Sequence, residues 1–220
     1  MLKRLCLVLL CLLLCACQNT RGFKDDKLDS ILSDETRLNV RQNNYTDYID
    51  YYLPSDVQED ESSKLAYSFI CDSSKLVMNV NIADIINNKY HHDYVLTDEG
   101  FFDESKLVYE KKGSYTSYAY ENMPFIYKLY EYENKYVAYF SNTNINIYGL
   151  VNSQDVEFVT DRIYTIAKGC DVDRDLIIVN YSSKDVIDYH KSQVNLFESS
   201  FPTEGRIDDL MIDSSNQTLE

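Results

Sequence analysis

The sequence predicts an α+β protein: a mostly antiparallel β-sheet, laid out as a meander, with two C-terminal helices packed on it. Three observations carry this. Apolar and polar residues alternate with period two in short runs between Tyr48 and Val151. Short polar turns separate the runs, enough for antiparallel hairpins and too short for parallel crossovers. After Ser153 the apolar period lengthens to that of a helix.

The elements follow in order. Tyr48 to Leu53 sets Ile49, Tyr51 and Leu53 on one side, and Pro54 stops it. Ser55 to Ser63 reads as an acidic loop. Leu65, Tyr67, Phe69 and Cys71 alternate, as do Leu76, Met78, Val80 and Ile82. With Asp72-Ser73-Ser74 between them, these runs predict a hairpin. A short helix follows over 83–90. Further strands are expected at 107–111, 115–120, 125–133, 136–141 and 145–151, with a turn at Lys112-Gly113 and a break at Asn122 and Pro124. Val156, Val159, Ile163, Ile166 and Ala167 keep helical spacing behind an N-cap at Ser153, and Lys168-Gly169 suits a helix end. Leu176 to Tyr181 reads as a buried strand. Ser183 would cap a last helix carrying Val186, Ile187, Val194 and Phe197.

The first twenty residues, MLKRLCLVLLCLLLCACQNT, have a separate logic. Lys3 and Arg4 precede a twelve-residue apolar run, Leu5 to Ala16. A bilayer-spanning helix needs roughly 20 such residues, so this run matches a signal-peptide core instead. It ends in Leu14-Cys15-Ala16-Cys17, which resembles the lipobox of bacterial lipoproteins. That resemblance covers the first twenty residues only. It implies cleavage before Cys17, a diacylglycerol on the Cys17 sulfur, and a further acyl chain on the new amino group. Two chains anchor a protein stably where one does not. The implied location is the outer face of the cell membrane, most simply in a Gram-positive bacterium. The expected organisation is a signal peptide over 1–16, lipidated Cys17 and a tether over 17–44, one ectodomain over 45–201, and a surface tail over 202–220. The ectodomain's layout is similar to PsbP-like sheet-plus-helix folds, a likeness that no motif carries.

Composition excludes several classes. The chain has 21 basic and 36 acidic residues, a net −15. Removal of 1–16 takes Lys3 and Arg4 with it and brings the charge to −17. Such a surface repels phosphate backbones, so nucleic acid is not an expected partner. The six glycines include no two close enough for a Walker A loop or a dinucleotide fingerprint. The three histidines, His91, His92 and His190, form no HExxH motif and have no Cys or His at metal-ligand spacing. No metal or cofactor is expected. Asp171, Asp173 and Asp175 alternate as in a calcium loop, but Leu176 and Ser182 stand where that loop requires Gly and Glu, and Arg174 adds a positive charge. Cys71 and Cys170 remain as a possible disulfide, with two buried free thiols as the alternative.

Nine of the 20 tyrosines lie between Tyr115 and Tyr148, which makes this stretch the aromatic centre of the chain. Core packing and AT-rich coding account for them most simply. The other reading is a platform for a glycan or a partner protein, with Tyr118, Tyr120, Tyr130 and Tyr132 as contact residues. On strand 125–133, Ile126, Tyr130 and Tyr132 share one face and Phe125, Tyr127 and Leu129 the other. The function expected is a non-enzymatic binding or accessory module near the membrane. The alternatives are a small solute- or glycan-binding lipoprotein, and a hydrolase using carboxylates of the 55–62 loop.

Overall fold

In the computed structural model, which describes residues 22–91, 93–96 and 102–182, the chain is α+β. Its main sheet has seven strands: β3 (Val57–Ser62), β4 (Ala66–Cys71), β5 (Ser74–Val80), β6 (Leu107–Thr116), β7 (Asn122–Tyr132), β8 (Lys135–Asn142) and β9 (Ile145–Asn152). Their order is β3-β4-β5-β9-β8-β7-β6, and every pairing is antiparallel. A small sheet joins β1 (Asn44–Tyr45), β2 (Ile49–Tyr51) and β10 (Asp171–Val172) in the order β1-β2-β10. The helices are α1 (Asp25–Leu32), α2 (Ile82–Tyr90), α3 (Val156–Gly169) and α4 (Arg174–Tyr181).

Helical spacing puts Val159, Ile163 and Ile166 on one side of α3, and all three are fully buried. Each contributes about 1.5–3 kcal/mol by leaving water. The helix packs on β8 and β9, and α1 packs on α3 and β6. Beneath them Phe125 and Phe140 stack at 5.5 Å, with the Tyr164 ring 5.3 Å from Phe125. On β7, Phe125, Tyr127 and Leu129 enter this main core. Tyr130 enters a second cluster on the opposite face with Val77, Phe102, Val137, Tyr139 and Tyr148. Both faces of the central strands are therefore apolar, which explains their near-continuous apolar sequence.

The β4–β5 hairpin, α2, β8, β9 and α3 lie where the periodicity predicts them. Five segments differ, and one is the strand expected at 115–120, which ends at Thr116 and gives way to the β6–β7 turn. Residues 57–62 form an edge strand, β3, in place of an acidic loop. Their charges suit an edge, and a bulge between Glu59 and Glu61 interrupts the pairing. No turn occurs at Lys112-Gly113, because β6 runs unbroken through it. A Cβ at Gly113 would lie 3.0 Å from the Phe125 ring, so this glycine makes room for an aromatic neighbour. Pro124 lies inside β7, one residue beyond the last pair with β8, where its missing N–H breaks no ladder bond. Leu176 to Tyr181 is helical, not a strand. Asp173 caps it, accepting from Leu176 N at 2.9 Å. The helix expected from Ser183, His190 within it, His92, the tail from 202, the signal peptide and Cys17 lie outside the described residues.

The expected tether is corrected in part. From Phe23 onward it belongs to the domain: Phe23, Leu28 and Leu32 are buried in the main core. The possible Cys71–Cys170 disulfide is also absent. Both residues are free, buried thiols. Cys170 Sγ lies 3.7 Å from Met78 Sδ, opposite Tyr67, whereas Cys71 lies four residues further along β4. That is about 13 Å of strand, beyond the reach of a disulfide. Burial pushes the Cys71 thiol up to about 12 and raises Cys170 as well, so neither is primed to react.

Candidate functional site

The sheet has two unlike ends. At one, the chain enters: Gly22 N donates to Ser153 Oγ at 2.9 Å, Lys24 N to Glu157 Oε1 at 3.1 Å, and the Phe23 ring meets Tyr136 edge-on at 5.0 Å. Short turns at Asp72-Ser73 and Glu133-Asn134 complete this entry end. At the other end lie the start of α2, the β6–β7 turn, the β8–β9 turn and the β10–α4 junction.

The far end is built from polar residues that are buried. Asn142, only 2% exposed, donates to Tyr115 Oη at 2.8 Å, and its Oδ1 accepts from Asn144 N and Ile145 N. Tyr115 in turn donates to Ala167 O at 3.1 Å. Asn81 donates to Asp84, to Asn142 O and to Asn146 Oδ1. These bonds hold the β8–β9 turn so that Asn144 Oδ1 accepts from Arg174 Nε at 2.8 Å. Arg174 is the first residue of α4, aimed by the Asp173 cap, and its Nη2 reaches Glu121 Oε2 at 2.5 Å.

Two cavities meet at that ion pair and share Asn88, Glu121 and Arg174. One, about 560 Å³, has a wall of Val95, Leu96, Met123, Pro124 and Ile126. The other, about 440 Å³, is bordered by Glu121, Asp171, Asp173 and Asp175, with Lys89 and Arg174 as the opposing charges. Both volumes lie in the range of ligand pockets. Burial, then repulsion from Asp50 and Glu121, raises the Asp171 carboxyl above its ordinary value. Among the described residues, no three His, Cys, Asp or Glu side chains converge as metal ligands, and the Asp171-Asp173-Asp175 ladder is part of this spread-out rim.

The structure does not bring the four tyrosines together. Tyr118 and Tyr120 lie by the β6–β7 turn at the far end, while Tyr130 and Tyr132 lie toward the entry end of β7. Tyr130 is 1% exposed and so cannot be an open platform. Tyr132 is half-buried against the same cluster. The rings of Tyr118 and Tyr120 clasp Arg37, with centroids 4.6 and 4.2 Å from its guanidinium carbon. The carboxylates of 55–62 line neither cavity: Asp56 binds Arg162, Asp60 binds Lys75, and Glu59 accepts from Tyr51. His91 ends α2 and is exposed.

The groove residues Glu121, Asn144 and Arg174 escaped sequence reasoning. Arg174 was visible only as the charge that spoils a calcium loop. Its partners lie 30 and 53 residues away, and no local period marks them. Compared with known proteins, the chain matches no family model, and no curated protein matches it significantly.

Proposed function

We propose that this chain is an extracytoplasmic lipoprotein, anchored through Cys17 to the outer face of the cell membrane, that works as a non-enzymatic binding module. The observation that carries the reading is the polarity of the domain. The lipobox-like stretch leads into the entry end, and the groove lies at the opposite end. Gly22 stands five positions after Cys17, so the entry end is held within about 18 Å of the lipid, closer than a tether reaching residue 44 would allow. The eleven residues of β7 carry the groove about 35 Å further out. Net negative charge disfavours the domain lying flat on an anionic leaflet. The groove then faces whatever approaches from outside.

The test is the chemistry of Cys17. The wild-type chain is expected in the membrane fraction, with an N-terminal fragment carrying thioether-linked diacylglycerol on mass spectrometry. Cys17→Ala should abolish both. A wild-type chain recovered from the medium with an unmodified Cys17 would refute the anchoring.

A further inference from the structure

The two cavities differ in character and adjoin at Asn88, Glu121 and Arg174. One wall is apolar; the other is acidic, four carboxylates against two cations. The Asp171 side chain borders the groove, where Asp50, Glu121 and Asp173 act on it as like charges and Arg174 as an opposite one. The carboxylates are strung along the rim instead of converging, which suits an extended organic cation better than a metal ion. A second observation concerns the surroundings. Among the large apolar side chains exposed in the described residues, Tyr90, Val95, Tyr120 and Val179 lie on α2, the 94–96 segment, the β6–β7 turn and α4, whereas Val40, Tyr45 and Phe158 lie elsewhere. Each of those four elements contributes residues to the groove, beside β6, β7, β10 and the β8–β9 turn. Exposed aromatic and aliphatic groups around a cleft are the composition of a protein-recognition surface.

We propose that the groove takes an extended basic segment of a partner protein, with apolar side chains in the cavity beside Met123 and Ile126 and Lys or Arg side chains against Glu121 and Asp171. The Arg174–Glu121 pair divides the two subsites. Arg174, held by Asn144, keeps Glu121 at the junction. The identity of the groove as a binding site rests on the reading given above; the sign and pattern of the ligand do not depend on the lipid.

The experiment uses the full chain, purified in neutral detergent, and fluorescence anisotropy at near-physiological salt. Three labelled, acetylated and amidated pentapeptides are compared: alternating Lys-Leu, alternating Lys-Ser and alternating Glu-Leu. The Lys-Leu peptide should bind at least about tenfold more tightly than either other. Asp171→Asn, alone and with Glu121→Gln, should weaken it by about three- to tenfold. Glu59→Gln with Asp60→Asn on the β3 edge should leave it unchanged, and thermal melts check that each variant is folded. Equal binding of the Lys-Ser peptide would reduce the effect to surface charge and overturn the proposal. Equal binding of the Glu-Leu peptide, or loss through the β3 variant but not the groove variants, would overturn it too. Mass spectrometry of the same preparation separates the two readings. Unmodified Cys17 with intact peptide preference removes the anchoring alone, and lipidated Cys17 without preference removes this inference alone.

Discussion

The entry end and the groove end of the sheet are made from similar residues used in opposite ways. Asn152 closes β9 at the entry end, where its amide donates to Ser73 Oγ and Asp155 Oδ2 at the surface. Asn142 closes β8 at the far end, buried, bonded to one tyrosine and two backbone N–H groups. Water can replace every bond at Asn152 and none at Asn142. A chain end that only needs to turn uses exposed polar groups. One that holds Arg174 in place has to bury them, and buried polar groups must be satisfied.

The largest expected effect comes from that contrast. Asn142→Ala leaves two buried backbone N–H groups without partners, at about 1–3 kcal/mol each, and takes from the Tyr115 hydroxyl the donor it accepts from while its own bond to Ala167 O remains. A loss of at least about 3 kcal/mol in urea unfolding is expected. Asn152→Ala should cost under about 1 kcal/mol. Equal losses would mean that the two ends are not built differently.

Next in size is the strap between them. Residues 33–37 run from α1 to the β6–β7 turn. Lys168, almost fully buried, donates to Asp34 O at 3.0 Å and Oδ2 at 2.8 Å. Tyr164 donates to the same carbonyl, and Thr116 N donates to Glu35 O. Asp34→Ala removes the carboxylate but not the carbonyl, so the cost is expected at about 1–2 kcal/mol, below that of a wholly orphaned buried charge. Asp56→Ala, which frees the more exposed Arg162 near the entry end, should cost about 0.5–1 kcal/mol. The same unfolding midpoints rank the two.

How much of this was legible depends on whether each contact is local. The β4–β5 hairpin and α3 announce themselves because their residues alternate or recur every turn, and the partners are sequence neighbours. Strand β3 was hidden because an edge strand carries charges that also suit a loop. Helix α4 was hidden because Leu176, Ile177, Ile178 and Val179 are contiguous and β-branched in part, and only the cap at Asp173 tips them into a helix. Helix α1 and the strap after it looked like a tether because Leu28 and Leu32 are sparse, yet each is buried. The site was least legible of all, since Asn144, Glu121 and Arg174 meet only through the topology.

Acid should separate the charged regions. The Asp34 carboxyl is pushed up by burial but lowered more by Lys168 and Thr36, and Asp56 is held below the usual range by Arg162. Their stabilisation is present above about pH 4, the unfolded value, and is lost as the pH falls through the folded pKa values. At the groove end the sign reverses. Asp171 is raised by burial and by Asp50 and Glu121, and burial also raises Asp84. Ionised Asp171 therefore costs stability at neutral pH, and the cost is relieved as the pH falls through its folded pKa. Asp171→Asn should raise the neutral-pH melting temperature slightly and lose that advantage in acid. Asp56→Asn should lower it and converge on wild type in acid. Parallel curves for the two variants would remove the electrostatic distinction between the regions.

The smallest effect tests the turns themselves. Asp72 and Glu133 at the entry end have φ of 54° and 53°, and Tyr120 at the far end has 65°. An L side chain in this left-handed region costs about 1–2 kcal/mol, which glycine avoids at some entropic expense. Asp72→Gly and Glu133→Gly should therefore stabilise by about 0.5 kcal/mol each. Tyr120 differs because its ring covers Arg37, whose Nε also donates to Tyr118 O at 3.0 Å. Tyr120→Gly relieves the same backbone strain but gives up a cation–π contact of about 0.5–1 kcal/mol, so its net change should lie near zero. Tyr120→Phe keeps the ring and should match wild type. A gain from Tyr120→Gly as large as that from Asp72→Gly would show that the Arg37 clasp contributes nothing, and that the far-end turn is no more committed to its strap than the entry-end turns are.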